Sequence, residues 1–222
     1  MLAYSAQPNA YFNQRAAEIA RIYDGFFFTI GSWDQGVAAN LGLGPDAPPS
    51  TDWRRRAGEN LSNLVKAGVT ENLLGVYFGE SDPWPSPETL LSADYTKKLA
   101  RHFSAIGKAA KALGFRGVSI DVEYPYPRYS LDHKVYTYQG YTAQDLLAAT
   151  AEQGRAVMSA LLGEFHDAVV FVLPGEMWNR PISRAFQMAM LRVMAEKDAP
   201  GGFHLECGGE PPHSSGSIGT TA

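Results

Sequence analysis

Residues 117–123 read Gly117-Val118-Ser119-Ile120-Asp121-Val122-Glu123. Apolar and polar positions alternate, which is the period of a strand with two unlike faces. Val118, Ile120 and Val122 share one face. Ser119, Asp121 and Glu123 share the other. The apolar face suits packing against helices, so the polar face turns toward an enclosed axis. A strand built only for packing has little reason to set two acids side by side on such a face, where the second costs repulsion and desolvation.

Outward from this strand, short apolar runs alternate with longer amphipathic stretches. A helix is expected over residues 10–23, stopped by Gly25, with a strand over 26–30. A loop rich in Gly and Pro passes Pro45, Pro48 and Pro49. Ser50 or Thr51 then caps a helix that reaches Ala67 and stops at Gly68. A strand follows over 72–78. Ser86-Pro87-Glu88 has the form of a helix start, and that helix is expected to run to Leu113 with Gly114 as its stop. Thr142 and Asp145 form a capping box that opens a helix ending near Phe165. A strand over 168–173, a helix over 183–197 and a strand over 203–207 complete the pattern. Residues 211–222 are small and polar and read as a disordered tail.

Such alternation implies right-handed βαβ units around a parallel sheet, either open and doubly wound or closed as a barrel. No glycine-rich phosphate-binding pattern follows any strand, so a nucleotide-binding sheet loses its main support. Polar and aromatic residues gather instead where strands end: Ser32, Trp33 and Asp34; Glu80, Asp82 and Trp84; Asp121, Glu123, Tyr124 and Tyr126; Glu176 and Trp178; Glu206 and Glu210. Strand ends in a barrel line one shared mouth. The expected fold is therefore a single α/β domain over residues 1–210, a (β/α) TIM-type barrel. With Leu2-Ala3-Tyr4 as the stump of a first strand, it holds about six of the eight βα units, two being absent at the C-terminal side.

Composition narrows the function classes. A net charge of -4 gives no electrostatic case for nucleic acid or an anionic membrane. Cys207 is the single cysteine, which removes an internal disulfide and a cysteine metal cluster. No apolar run reaches the roughly 18 residues of a membrane span. Residues 1–12 lack the basic and apolar regions of a signal peptide, and the compartment stays open.

The chemistry centres on Asp121 and Glu123. Two acids this close push their proton affinities apart, leaving a protonated carboxyl beside an ionised one. Hydrolysis of a glycosidic bond uses that combination. An ion-pair network with arginines at the barrel mouth is the structural alternative.

The sequence here resembles glycoside hydrolase family 18, the chitinase-like barrels, whose fourth strand carries Asp-Gly-x-Asp-x-Asp-x-Glu. This chain matches at Gly117, Asp121 and Glu123, and has Arg116 and Ser119 where the family has its first two acids. The resemblance covers about eight residues and the barrel pattern. It implies that Glu123 protonates the leaving oxygen and that Asp121 assists it by orienting the N-acetyl group of the substrate. Ser119 replaces the acid that would settle Asp121, although its hydroxyl can still donate to that carboxylate. Family-25 lysozyme-like barrels also end a strand in Asp-x-Glu. Family-5-like barrels place Asn before the acid, where this chain has Val122.

Other residues carry weaker signals. His204 and Glu206 share a face and are candidates for a base, a second carboxylate or a substrate contact, or for a plain polar pair. Glu176 and Glu80 follow glycines in loops and are candidate contacts or bases. Trp33, Trp84, Trp178, Tyr124 and Tyr126 suit stacking on sugar rings, though about half are expected to pack loops. Asp34 completes the candidate substrate-binding set. Arg54, Arg55 and Arg56 read as a solvated helix face. His133, His166 and His213 show no metal-ligand spacing. Asp121, Glu123 and His204 are potential ligands, but nothing in the sequence requires a metal or other cofactor.

Three functions remain. The first is a glycoside hydrolase acting on an oligo- or polysaccharide. The second is a non-catalytic carbohydrate-binding barrel. The third is a metal-dependent hydrolase. Open barrel edges further imply self-association.

Overall fold

The computed structural model describes residues 2–5, 10–29, 51–77, 91–121, 141–173 and 181–206. Its strands are β1 (Leu2–Ser5), β2 (Gly25–Thr29), β3 (Leu73–Tyr77), β4 (Gly117–Asp121), β5 (Val169–Leu173) and β6 (Phe203–Leu205). Its helices are α1 (Ala10–Gln14), α2 (Ala16–Ile19), α3 (Thr51–Lys66), α4 (Ala93–Leu113), α5 (Ala143–Glu164) and α6 (Pro181–Glu196). The six strands form one sheet in the order β1-β2-β3-β4-β5-β6, and every pairing is parallel. The chain is an α/β protein.

Several boundaries differ from the sequence expectation. The helix expected over 10–23 is two short helices broken at Arg15, with only Ala16 among its buried residues. The helix ending at Leu113 begins at Ala93, where the Ser92 hydroxyl accepts from the Tyr95 N–H at 3.1 Å. Ser86-Pro87-Glu88 lies outside the described residues. The helix expected to open at Ser183 opens at Pro181, which needs no N–H partner at a first turn. The last strand ends at Leu205, and the tail lies outside the described residues. The capping box stands as read: Thr142 and Asp145 bond reciprocally at the start of α5. Gly114 ends α4 at φ 86°, a conformation that costs a side chain more than it costs glycine.

The alternation in each strand sorts side chains onto two faces. Phe26, Phe28, Leu74, Val76, Val118, Ile120, Val170 and Val172 join the main core. That core also takes Leu61 and Leu64 of α3, Phe103 and Ile106 of α4, Val157 and Leu161 of α5, and Phe186 and Met190 of α6. Phe28, Phe103 and Phe186 are wholly buried. Burial of each such side chain contributes about 1.5–3 kcal/mol. Phe12 of α1 packs edge-on against both Phe26 and Phe28, which docks the first helix on the same face. Helices α5 and α6 meet at Gly154, where an added Cβ would lie 2.3 Å from the Phe186 carbonyl oxygen. Only glycine permits that approach.

The other face carries a separate cluster drawn from strands alone: Phe27, Leu73 and Leu173, with Val169 and Phe171 against them. The rings of Phe27 and Phe171 lie 4.9 Å apart. In a flat sheet the three steps from β2 to β5 would separate those strands by about 14 Å. The sheet is therefore concave on the side that carries this strand-only cluster. No helix among the described residues is long and apolar enough to cross a membrane.

Candidate functional site

Strand β4 places Gly117, Ser119 and Asp121 on the concave face, because Val118 and Ile120 between them are wholly buried in the helix-side core. Ser119 is 2% exposed and Asp121 5% exposed. In register, Ser119 lies between Gly75 of β3 and Phe171 of β5, and Asp121 lies between Tyr77 and Leu173. Asp121 is the last residue of β4, so its carboxyl sits at the C-terminal end of the sheet. That is the end at which parallel α/β sheets bind ligands.

The same rows extend to β6. His204 is in register with Phe171, and the two rings stack at 6.5 Å with planes 12° apart. His204 Nε2 lies 3.4 Å from the Gly201 carbonyl oxygen, so the imidazole leans back toward the start of its strand. Glu206 follows two residues on, and its N–H donates to the Val172 carbonyl at 3.1 Å. The pairing of Val172 with Leu205 carries on to set Glu206 beside Leu173. Glu206 is half-buried and His204 is exposed. Phe203 and Leu205 pack on the helix-side core, as their alternation with His204 requires.

Of the residues singled out by sequence, Ser119, Asp121, His204 and Glu206 fall together on this face. Glu123, Trp33, Asp34, Glu80, Trp84, Tyr124, Tyr126, Glu176 and Trp178 lie outside the described residues. Arg116, which stands at the first acid of the resembled motif, is exposed at the opposite end of β4. Its guanidinium reaches the Asp167 carbonyl at 3.4 Å. Five residues of strand, about 16 Å, separate it from Asp121, so it does not supply that carboxyl with a countercharge.

Phe171 was missed by sequence reasoning, although Val169, Phe171 and Leu173 alternate in the same way as β4. It supplies the floor on which His204 stacks. Ser183 and Gln187 were also missed as buried polar residues. They lie one turn apart on α6, wholly buried, and Ser183 Oγ and both polar atoms of Gln187 have no hydrogen-bond partner among the described residues. Among the described residues no group of three His, Cys, Asp or Glu side chains is arranged to hold a metal.

No protein-family model matches the chain, and neither does any curated protein or solved structure.

Proposed function

We propose that the chain is a barrel-type (β/α) domain that hydrolyses a glycosidic bond through carboxylates at the end of β4. Three features support the barrel. The strands follow one another in chain order, whereas a doubly wound sheet reverses its order at a switch point. The helix-side core takes residues from α3, α4, α5 and α6, and among the described residues the opposite cluster takes none from a helix. The sheet curves toward the side of that second cluster, as a closing barrel does.

One observation carries the catalytic reading: Asp121 is a buried acid at the end of β4, on the face that also carries Ser119, Phe27, Leu73, Phe171 and Leu173. Burying a carboxyl costs stability that its partners must offset. Its place at the C-terminal end of the sheet, where parallel α/β sheets bind ligands, favours a role in chemistry. Glu123, two residues on, is the proton donor implied by the resemblance to family 18. Asp121 is its assisting carboxylate. The substrate is an oligo- or polysaccharide, with Trp33, Trp84 and Trp178 as candidate stacking groups.

A non-catalytic sugar-binding barrel is the second reading. Ser119 favours it, since a hydroxyl holds Asp121 less firmly than the acid found there in the resembled motif. Turnover separates the two. Incubation with N-acetylglucosamine oligomers and cello-oligosaccharides, followed by chromatography of the products, yields shorter sugars from a hydrolase. Intact oligomers that nevertheless shift the tryptophan fluorescence identify a binding module. Neither cleavage nor binding would contradict both readings.

A further inference from the structure

We propose that the outer face of α4 is a docking surface for an acidic polysaccharide. The charge of α4 carries the surface. The choice of a polysaccharide among polyanions rests on the carbohydrate reading of the site.

The chain as a whole is acidic, with 23 Asp and Glu against 19 Lys and Arg. Helix α4 reverses that balance: Lys97, Lys98, Arg101, Lys108 and Lys111 stand against the single acid Asp94. With about 3.6 residues per turn, Lys97, Arg101, Lys108 and Lys111 fall within an arc of about 80°, along about 21 Å of helix. All four are exposed, and Lys98 beside them is half-buried. Leu99, Phe103, Ile106 and Ala110 are fixed in the core, so the stripe stays outward. Lys97 pairs with Asp94 at 3.3 Å, an exposed contact that is worth little. Lys111 lies over the Phe165 ring at 6.0 Å. Lys98, Arg101 and Lys108 have no ion pair among the described residues. Glu164 of α5 reaches this helix, but it accepts from the Ser104 hydroxyl at 3.0 Å.

The stripe selects its partner. A row of like charges repels itself, and a linear polyanion lying along it relieves that repulsion. A membrane surface would need large apolar side chains beside the cations. The exposed positions between them are Ala105 and Ala112. Single-stranded nucleic acid would need aromatic platforms for its bases. Of the rings on α4, Tyr95 is half-buried, and His102 and Phe103 are buried. The helix is also placed for the site. Gly114, Phe115 and Arg116 alone join α4 to β4, so α4 ends beside the start of β4 and runs against it. Its first turns, with Lys97, Lys98 and Arg101, therefore lie toward the end of the sheet that carries Asp121. A polymer held on α4 leads from that end along the outside of the helix layer.

The test is calorimetric binding of polygalacturonate by the parent and by two triple variants. One combines Lys98→Gln, Arg101→Gln and Lys108→Gln. The other combines Arg21→Gln, Arg184→Gln and Arg192→Gln, which removes the same charge from exposed positions outside α4. Thermal melts check that both fold, and Arg101→Glu, a single exposed change, tests the same face should the first triple unfold. The parent should bind, and more weakly as ionic strength rises from about 0.05 to about 0.3 M. The α4 triple should bind roughly 10-fold more weakly, and the second triple should bind as the parent does. Equal losses in the two triples, or no binding by the parent, overturn the surface. Tighter binding of duplex DNA or of phosphatidylglycerol vesicles than of polygalacturonate overturns the choice of partner. Cleavage of sugar oligomers without affinity for polygalacturonate overturns this inference alone. Affinity that is lost in the α4 triple, with no oligomer cleaved, supports the surface and overturns the hydrolase reading.

Discussion

The rings of Phe27 and Phe171 meet at 4.9 Å although β3 and β4 run between their strands. This contact closes the concave face from below, while Ser119, between Gly75 and Phe171 in the register, keeps the middle of the face small. The polar end of the sheet, with Asp121 and Glu206, opens above it.

If curvature holds that face together, the two phenylalanines are energetically coupled. A double-mutant cycle of Phe27→Ala and Phe171→Ala, measured by denaturant unfolding, should give a coupling energy of about 0.5–1.5 kcal/mol. Strictly additive losses would mean that β2 and β5 do not face each other, and the barrel reading would lose its strongest support.

The curl was not legible in the sequence, because it depends on where three crossovers set their strands. The faces were legible. Residues 117–121 alternate so regularly that the burial of Ser119 and Asp121 opposite Val118 and Ile120 follows from periodicity alone. Helix starts were harder, since Ser86 and Ser92 both offer a cap followed by an acid. Ser92 caps α4, where Leu99, Phe103 and Ile106 repeat toward the core. Arg15 breaks the first helix where the sequence pattern reads as one continuous helix, in a segment that buries little apolar surface to hold one axis. The buried Ser183 and Gln187 carry no sequence mark that distinguishes them from exposed helix residues.

The end strands carry the next expectation. β1 and β6 each pair with one neighbour among the described residues. An unpaired row of N–H and C=O groups invites another strand. Sedimentation velocity across a range of concentrations should show association that grows with concentration. A single monomeric species throughout would refute it.

The start of α5 provides a test of local stability. Asp145 accepts from the Thr142 hydroxyl at 2.7 Å and from the Thr142 N–H at 2.8 Å. The side-chain bond first, and the backbone bond second, hold its carboxyl below its ordinary value of 3.8. A depressed folded value means that this contribution is present above the ordinary value and is lost as pH falls through the lower one. Asp145→Ala should therefore lower Tm at neutral pH, and its deficit should narrow in acid below that range. Thr142→Ala should cost about 0.5–2 kcal/mol at neutral pH through loss of the cap. A deficit for Asp145→Ala that is independent of pH would contradict the assigned hydrogen bonds.

The central claim is that the acids at the end of β4 do chemistry. It is tested most directly by steady-state hydrolysis of sugar oligomers by the parent, Asp121→Asn and Glu123→Gln, with sugar binding measured separately by calorimetry. Glutamine keeps the shape of Glu123 but supplies no proton, so Glu123→Gln should lose roughly 10²–10⁴-fold in turnover while binding stays nearly intact. Asp121→Asn should lower the rate as well. Full turnover by both variants, or a parent that binds these sugars and cleaves none, would contradict the account.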